Sequence, residues 1–120
     1  MIKYNNRKTV RSGITFDSSK EAAHFMKLKA LEQAGKITNL QLQVKFELIA
    51  AQYKHFQIQG KRKMLDRKEC VEKSCNYYAD FTYHKDGVFI VVDVKGMKTE
   101  AYKIKKKLML QKFGIAITEV

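Results

Sequence analysis

The 120-residue chain contains no proline. Proline is a common mark of a linker, and nothing else divides the sequence, because it has no low-complexity tract and no internal repeat. A single domain over residues 1–120 is expected, large enough to bury roughly two-thirds of its unfolded surface. The chain has only 2 cysteines, Cys70 and Cys75, too few for a disulfide scaffold. Their C-x4-C spacing, with His24, His55 and His84 elsewhere, matches no zinc site. There is no run of about 18 apolar residues to span a membrane. The first twenty residues lack the apolar stretch of a secretory signal. An intracellular, soluble domain with no membrane partner is expected, and helix-turn-helix and zinc-finger patterns are missing too.

Acidic residues are also scarce. The chain has 12 Asp+Glu against 24 Lys+Arg, for a formal net charge of +12. Such an excess in a small domain points to a polyanion, with nucleic acid the default. The cations fall into three groups: Arg7, Lys8 and Arg11; Lys61, Arg62 and Lys63; and Lys98, Lys103, Lys105, Lys106 and Lys107. Any one group could be an ordinary solvated face. Together they suggest sequence-independent contacts with phosphates, so that any specificity would be for DNA shape.

Residues 1–12 read as a basic arm or edge strand. Ser18-Ser19-Lys20-Glu21 is a capping-box pattern that opens a helix to Ala34, with Gly35 as its stop. On that helix Glu21, Phe25, Leu28 and Glu32 share a stripe. Leu40, Leu42, Val44, Phe46 and Leu48 alternate with polar residues, which predicts a half-buried strand over 40–49. A second strand is expected over 53–59. Residues 54–75 form a hairpin or insertion, with room for one helical turn. Strands follow over 76–84 and 88–95, joined by the hairpin signal Asp86-Gly87. A helix over 100–112, capped by Thr99 and with Ala101, Ile104 and Leu108 inward, leads to a short last strand parallel to 88–95.

If Asp86-Gly87 is the hairpin loop, Lys85 pairs with Val88 and the same register puts Asp80 opposite Asp93. Asp93 and Lys95 are two apart and share a face, so Asp80, Asp93 and Lys95 converge. Facing carboxylates destabilise a sheet unless a cation lies between them. That cation is Lys95 alone or a divalent metal, and paired hard oxygen ligands favour magnesium. The ordinary alternative is an Asp–Lys pair at a strand end, with Asp80 facing solvent.

Tyr78-Ala79-Asp80-Phe81 followed by Asp93-Val94-Lys95-Gly96, with Glu21 on the first helix, resembles the bipartite signature of the PD-(D/E)XK nuclease superfamily. Gly13 to Ser18 with Lys20-Glu21-Ala22, Leu40 to Phe46, and Lys98-Thr99 extend the likeness. They make the chain similar to small phage-type endonucleases related to Holliday-junction resolvases. The resemblance covers nearly everything except about 54–75. It implies an α+β (α/β) restriction-endonuclease-like fold, with an αβββαβ core and a mixed sheet flanked by helices. It also implies magnesium, replaceable by manganese, held by Asp80, Asp93 and the Val94 carbonyl. Glu21 would assist at the metal, Lys95 would orient the attacking water, and Gln43 would contact the active site or the DNA. Glu21 also has an ordinary role as the N3 residue of the capping box, and Gln43 as one polar residue of an alternating strand. Similar sequences often carry proline where this one has Val44.

The expected activity is magnesium-dependent, structure-selective cutting of DNA, most specifically of four-way junctions during phage recombination. A homodimer in the host cytoplasm would follow. Two alternatives stay open: a DNA-binding architectural module without turnover, and a nicking or flap endonuclease.

Overall fold

The computed structural model describes residues 8–11, 13–94 and 97–120. Arg7 and Lys95 lie outside the described residues. Two short strands, β1 (Thr9–Arg11) and β2 (Ile14–Phe16), pair with each other ahead of helix α1 (Ser19–Gln33). Strands β3 (Thr38–Ile49), β4 (Gln52–Gln59), β5 (Met64–Glu72), β6 (Cys75–Lys85) and β7 (Val88–Asp93) follow. Helix α2 (Glu100–Phe113) and strand β8 (Thr118–Glu119) close the chain. The central sheet has the order β3-β6-β7-β8, antiparallel except for the parallel β7–β8 pair. The class is α+β. Taking β1, β2, β4 and β5 aside, the order along the chain is α-β-β-β-α-β. None of the helices among the described residues is long and apolar enough to cross a membrane.

Local chemistry sets the element ends. The Ser18 hydroxyl accepts from the Glu21 amide at 3.1 Å, and Gly35, at φ +75°, closes α1 in the left-handed conformation that glycine favours. Thr99 caps α2 in the same way through the Tyr102 amide at 3.1 Å, and Gly114 ends it at φ 68°. Asp86 and Gly87 both have positive φ, as a type I′ hairpin requires. The register from Lys85↔Val88 to Phe81↔Val92 is the expected one.

The two helices cover opposite faces of the sheet. Phe81 and Val92 pack with Phe16, Ala22, Phe25 and Leu28 under α1. Tyr77, Ala79 and Val91 pack with Tyr102, Met109 and Ile117 under α2. Adjacent residues Val91 and Val92 point to opposite faces, as β geometry demands. Ala79 and Phe81 do so as well, although they are two apart and should share a face. Strand β3 changes over at the same level, because Leu40 and Leu42 pack under α1 whereas Phe46 and Leu48 pack under α2. The ladder continues on both sides but lacks the Gln43–Asp80 pair, and Gln43 sits at φ 51°. The uniform alternation of 40–49 therefore does not mark one inner face; the strand switches faces in the middle.

Three expectations need correction. The buried residues of α2 are Tyr102 and Met109, with Leu108 half-buried beside them, and not Ala101 or Ile104. Of the expected Ala101, Ile104 and Leu108 only Leu108 joins the core, and Ile104 is 58% exposed. Tyr102 sets this phase because its ring fits against Tyr77, with centroids 6.4 Å apart. Residues 64–72 are a strand with no helical turn, because all of them but Val71 pair across to β4. The last strand is limited to Thr118–Glu119.

The same contrast yields a stability prediction. Phe81 is fully buried among Phe16, Phe25 and His24, so Phe81→Ala should cost about 3–5 kcal/mol. Ile104→Ala should cost no more than about 0.5 kcal/mol. Urea unfolding of the two variants checks the assignment.

Candidate active site

The face switch between β3 and β6 lies beside the first turn of α1, and three carboxylates meet there. Glu21 comes from α1, Asp80 from the switch point of β6, and Asp93 from the end of β7. Glu21 and Asp93 are buried, at 6% and 2% exposure, while Asp80 is half-buried. The Gln43 side-chain amide bridges two of them, donating to Glu21 Oε1 at 3.2 Å and to Asp80 Oδ1 at 3.4 Å. The left-handed backbone at Gln43 is part of the distortion that leaves it unpaired in the ladder, where its amide meets both acids. The other oxygen of Asp80, Oδ2, accepts from the Val94 backbone amide at 2.8 Å.

Glu21 thus forms only half of a capping box. Its backbone amide is capped by Ser18, but its carboxylate accepts from Gln43. Burial is the largest cause that pushes its pKa up, to about 7, and the charges of Asp80, Asp17 and Asp93 add to it; the Gln43 hydrogen bond opposes them. Glu21 therefore exchanges its proton near neutrality, an uncommon condition for a carboxylate.

Asp93 holds a different partner. Its Oδ2 accepts from the Tyr77 hydroxyl at 2.5 Å, inside the α2-side core. Tyr77 is 4% exposed, and burial and this carboxylate both raise its pKa well above the usual tyrosine value. The phenol therefore stays a proton donor that fixes the Asp93 carboxylate. Tyr77 lies outside the motif residues that the sequence singles out. Only the face switch at Asp80 brings it onto the side of Asp93, and no residue-type pattern signals that.

A second missed residue is Glu119. Its Oε2 accepts from the Tyr102 hydroxyl at 2.7 Å, and its Oε1 pairs with Lys106 at 3.0 Å and Lys98 at 3.2 Å. These partners, Tyr102 first, lower its pKa to about 2. Lys98 is therefore held by a carboxylate, and Lys103 by Glu100 at 3.2 Å. Lys8 faces Asp17 at 3.8 Å. These pairs are solvent-exposed on the lysine side and weak. Arg11, Lys61, Arg62 and Lys63 are exposed. The expected DNA-contacting cations are thus spread over three places rather than gathered in one patch.

Among the described residues, no three His, Cys, Asp or Glu side chains stand close enough together to cage a metal ion in this arrangement. The donor chemistry nevertheless suits a hard cation. Three carboxylates come from three elements, burial first and its acidic neighbours next raise the pKa of Glu21, and the exposed Gln43 amide donates to two of them. Glu21, Asp80, Asp93 and the Val94 carbonyl are the groups that would hold magnesium, with Gln43 swung aside.

The raised pKa of Glu21 carries a pH signature. Folded Glu21 binds its proton more tightly than the unfolded chain, whose value is near 4.5. The resulting stability is present below about pH 4.5 and is lost as pH rises to about 7. In chelator, Glu21→Gln should match the parent at pH 4.5 and be more stable at pH 8, by on the order of 2–3 kcal/mol. Thermal or denaturant unfolding across that range reads the difference.

No curated protein and no solved structure matches the chain. A family profile does match, over residues 1–118, and it is described as a protein of unknown function. The chain belongs to the DUF1064 family.

Proposed function

We propose that this protein is a magnesium-dependent endonuclease that cuts branched DNA, most specifically a four-way junction. The observation that carries the reading is the meeting of Glu21, Asp80 and Asp93 at one point of the sheet, with Glu21 displaced to about 7. Buried like charges are costly without a cation, and the net charge of +12 supplies attraction for a polyanion. The resemblance to PD-(D/E)XK nucleases in Tyr78–Phe81 and Asp93–Gly96 supports the same chemistry.

The roles follow from the surroundings of each group. Asp80 is oriented by the Val94 amide and Asp93 by the Tyr77 hydroxyl, so both keep an oxygen edge fixed. Bound magnesium supplies charge neutralisation at the phosphate and a hydroxide source at neutral pH. Glu21, kept ionised by the bound cation, would complete the cation's ligand set or hold one of its waters. Lys95 would offset charge developing on the phosphate. Gln43 donates to the two acids and, once released, can donate to a phosphate oxygen. Paired cuts in a symmetric junction need two active sites, so a homodimer belongs to the proposal. The site of action would be the cytoplasm of a host cell.

The test is cleavage of labelled four-way junction, flap, single strand and duplex, with magnesium or chelator. Symmetric nicks in the junction alone are expected, lost with chelator. Asp93→Asn should slow cutting at least about 100-fold, a loss of several kcal/mol of charge stabilisation. Equal cutting by Asp93→Asn would overturn the nuclease reading. Cutting of flaps or plain duplex would retain the nuclease and remove the junction specificity.

A further inference from the structure

Strands β3 and β4 run on through Ala50-Ala51, and β5 and β6 through Lys73-Ser74. Ile49 pairs with Cys75 on one side of this break, and Gln52 pairs with Glu72 on the other. The four strands are therefore one long hairpin whose outer half, β4–β5, leaves the central sheet. Among the described residues β4 and β5 pair only with each other. Every residue of β4 is exposed, as is every residue of β5 but Leu65. The radius of gyration is 19.8 Å, against about 14 Å for a compact chain of this length.

The tip of this ribbon is a built turn. The Gly60 amide donates to the Lys63 carbonyl at 2.9 Å, which makes Lys61 and Arg62 the loop. A Cβ on Gly60 would lie 2.5 Å from that carbonyl and 3.0 Å from the Leu65 side chain, so glycine is required for the closure. Three consecutive cations, Lys61, Arg62 and Lys63, are thus presented at the end of the ribbon with no acidic neighbour in the turn. One face carries Phe56, Ile58 and Leu65, of which Phe56 and Ile58 are 39% and 40% exposed. A lone two-stranded ribbon is marginal in water, so a surface that covers this one would stabilise it.

We propose that the β4–β5 ribbon is a second DNA-binding element, with its tip cations on the phosphates of duplex lying away from the acidic cluster. The inference rests on the nuclease reading for the nature of the polyanion. Charge decides the occupant, because a second copy of the chain would bring like-charged tips together, whereas a phosphate backbone complements them. Reach decides the position. The tip is 17 residues of strand beyond Gln43 (60 − 43), up to ~55 Å at about 3.3 Å per residue, and the molecule's longest extent is 65 Å. That exceeds one turn of duplex, about 34–36 Å. A groove edge also suits the half-exposed Phe56 and Ile58, which can contact sugars.

The experiment is binding of labelled four-way junction in chelator, so that nothing is cut, across a salt series. The triple variant Lys61→Gln/Arg62→Gln/Lys63→Gln should bind about tenfold or more weakly at 0.1 M salt. Its log–log salt slope should fall by about two to three, as loss of three phosphate contacts requires. Its melting temperature should equal the parent's. An unchanged slope and affinity would overturn the proposal. So would a parent dimer that Phe56→Ser/Ile58→Ser converts to monomer in sedimentation while the salt slope stays put, since the ribbon would then be a protein interface. Because the binding assay needs no turnover, a failure of magnesium-dependent cutting is read separately and leaves this result to stand or fall alone.

Discussion

Two neighbouring strands, β3 and β6, exchange the faces of their side chains at the same level, Gln43 and Asp80. Most of the molecule is arranged around that exchange. Beyond it, Tyr77, Ala79, Phe46 and Leu48 serve the core under α2; before it, Phe81, Leu40 and Leu42 serve the core under α1. Two helices can then cover opposite ends and opposite faces of a narrow sheet. The cost is a missing rung and a left-handed glutamine. Such strain is tolerated where the surrounding structure over-determines it, and it concentrates at functional sites.

The acidic cluster sits at this irregular rung. Glu21 reaches it from the α1 side and Asp93 from the α2 side, while Asp80 stands between. Gln43, Val94 and Tyr77 each supply a donor, but all three donors are neutral. Burial first, then the charges of Asp80, Asp17 and Asp93, hold the Glu21 pKa near 7 against the Gln43 hydrogen bond. At Glu119 the Tyr102 hydroxyl first, and then Lys106 and Lys98, bring the pKa down to about 2. The two glutamates thus differ in burial and in the charge of their neighbours, carboxylates at Glu21 and lysines at Glu119.

Much of this was legible in the sequence because it rests on local rules. Ser18, Gly35, Thr99 and Gly114 fix helix ends, and Asp86-Gly87 fixes the register from Lys85↔Val88 to Phe81↔Val92. Glu21, Asp80, Asp93 and Gln43 could be named from patterning and resemblance. The face switch could not, because an unbroken apolar–polar alternation looks the same whether or not the strand rotates halfway along. Tyr77 as a partner of Asp93, and Glu119 as a holder of lysines, depend on that tertiary placement. The phase of α2 was misjudged for a related reason. Ile104 is the more apolar choice, but Tyr102 has a ring to pack against and a carboxylate to meet.

The proposal rests on Glu21, Asp80 and Asp93 forming an acidic site that a divalent cation would complete. The direct measurement is the titration of the Glu21 carboxyl by carbon-13 NMR, without and with magnesium. A midpoint near 7 in chelator that falls below about 5 when magnesium is added is the expected result. A midpoint near the ordinary value of 4.5 in chelator, or one near 7 that magnesium leaves in place, would contradict the account.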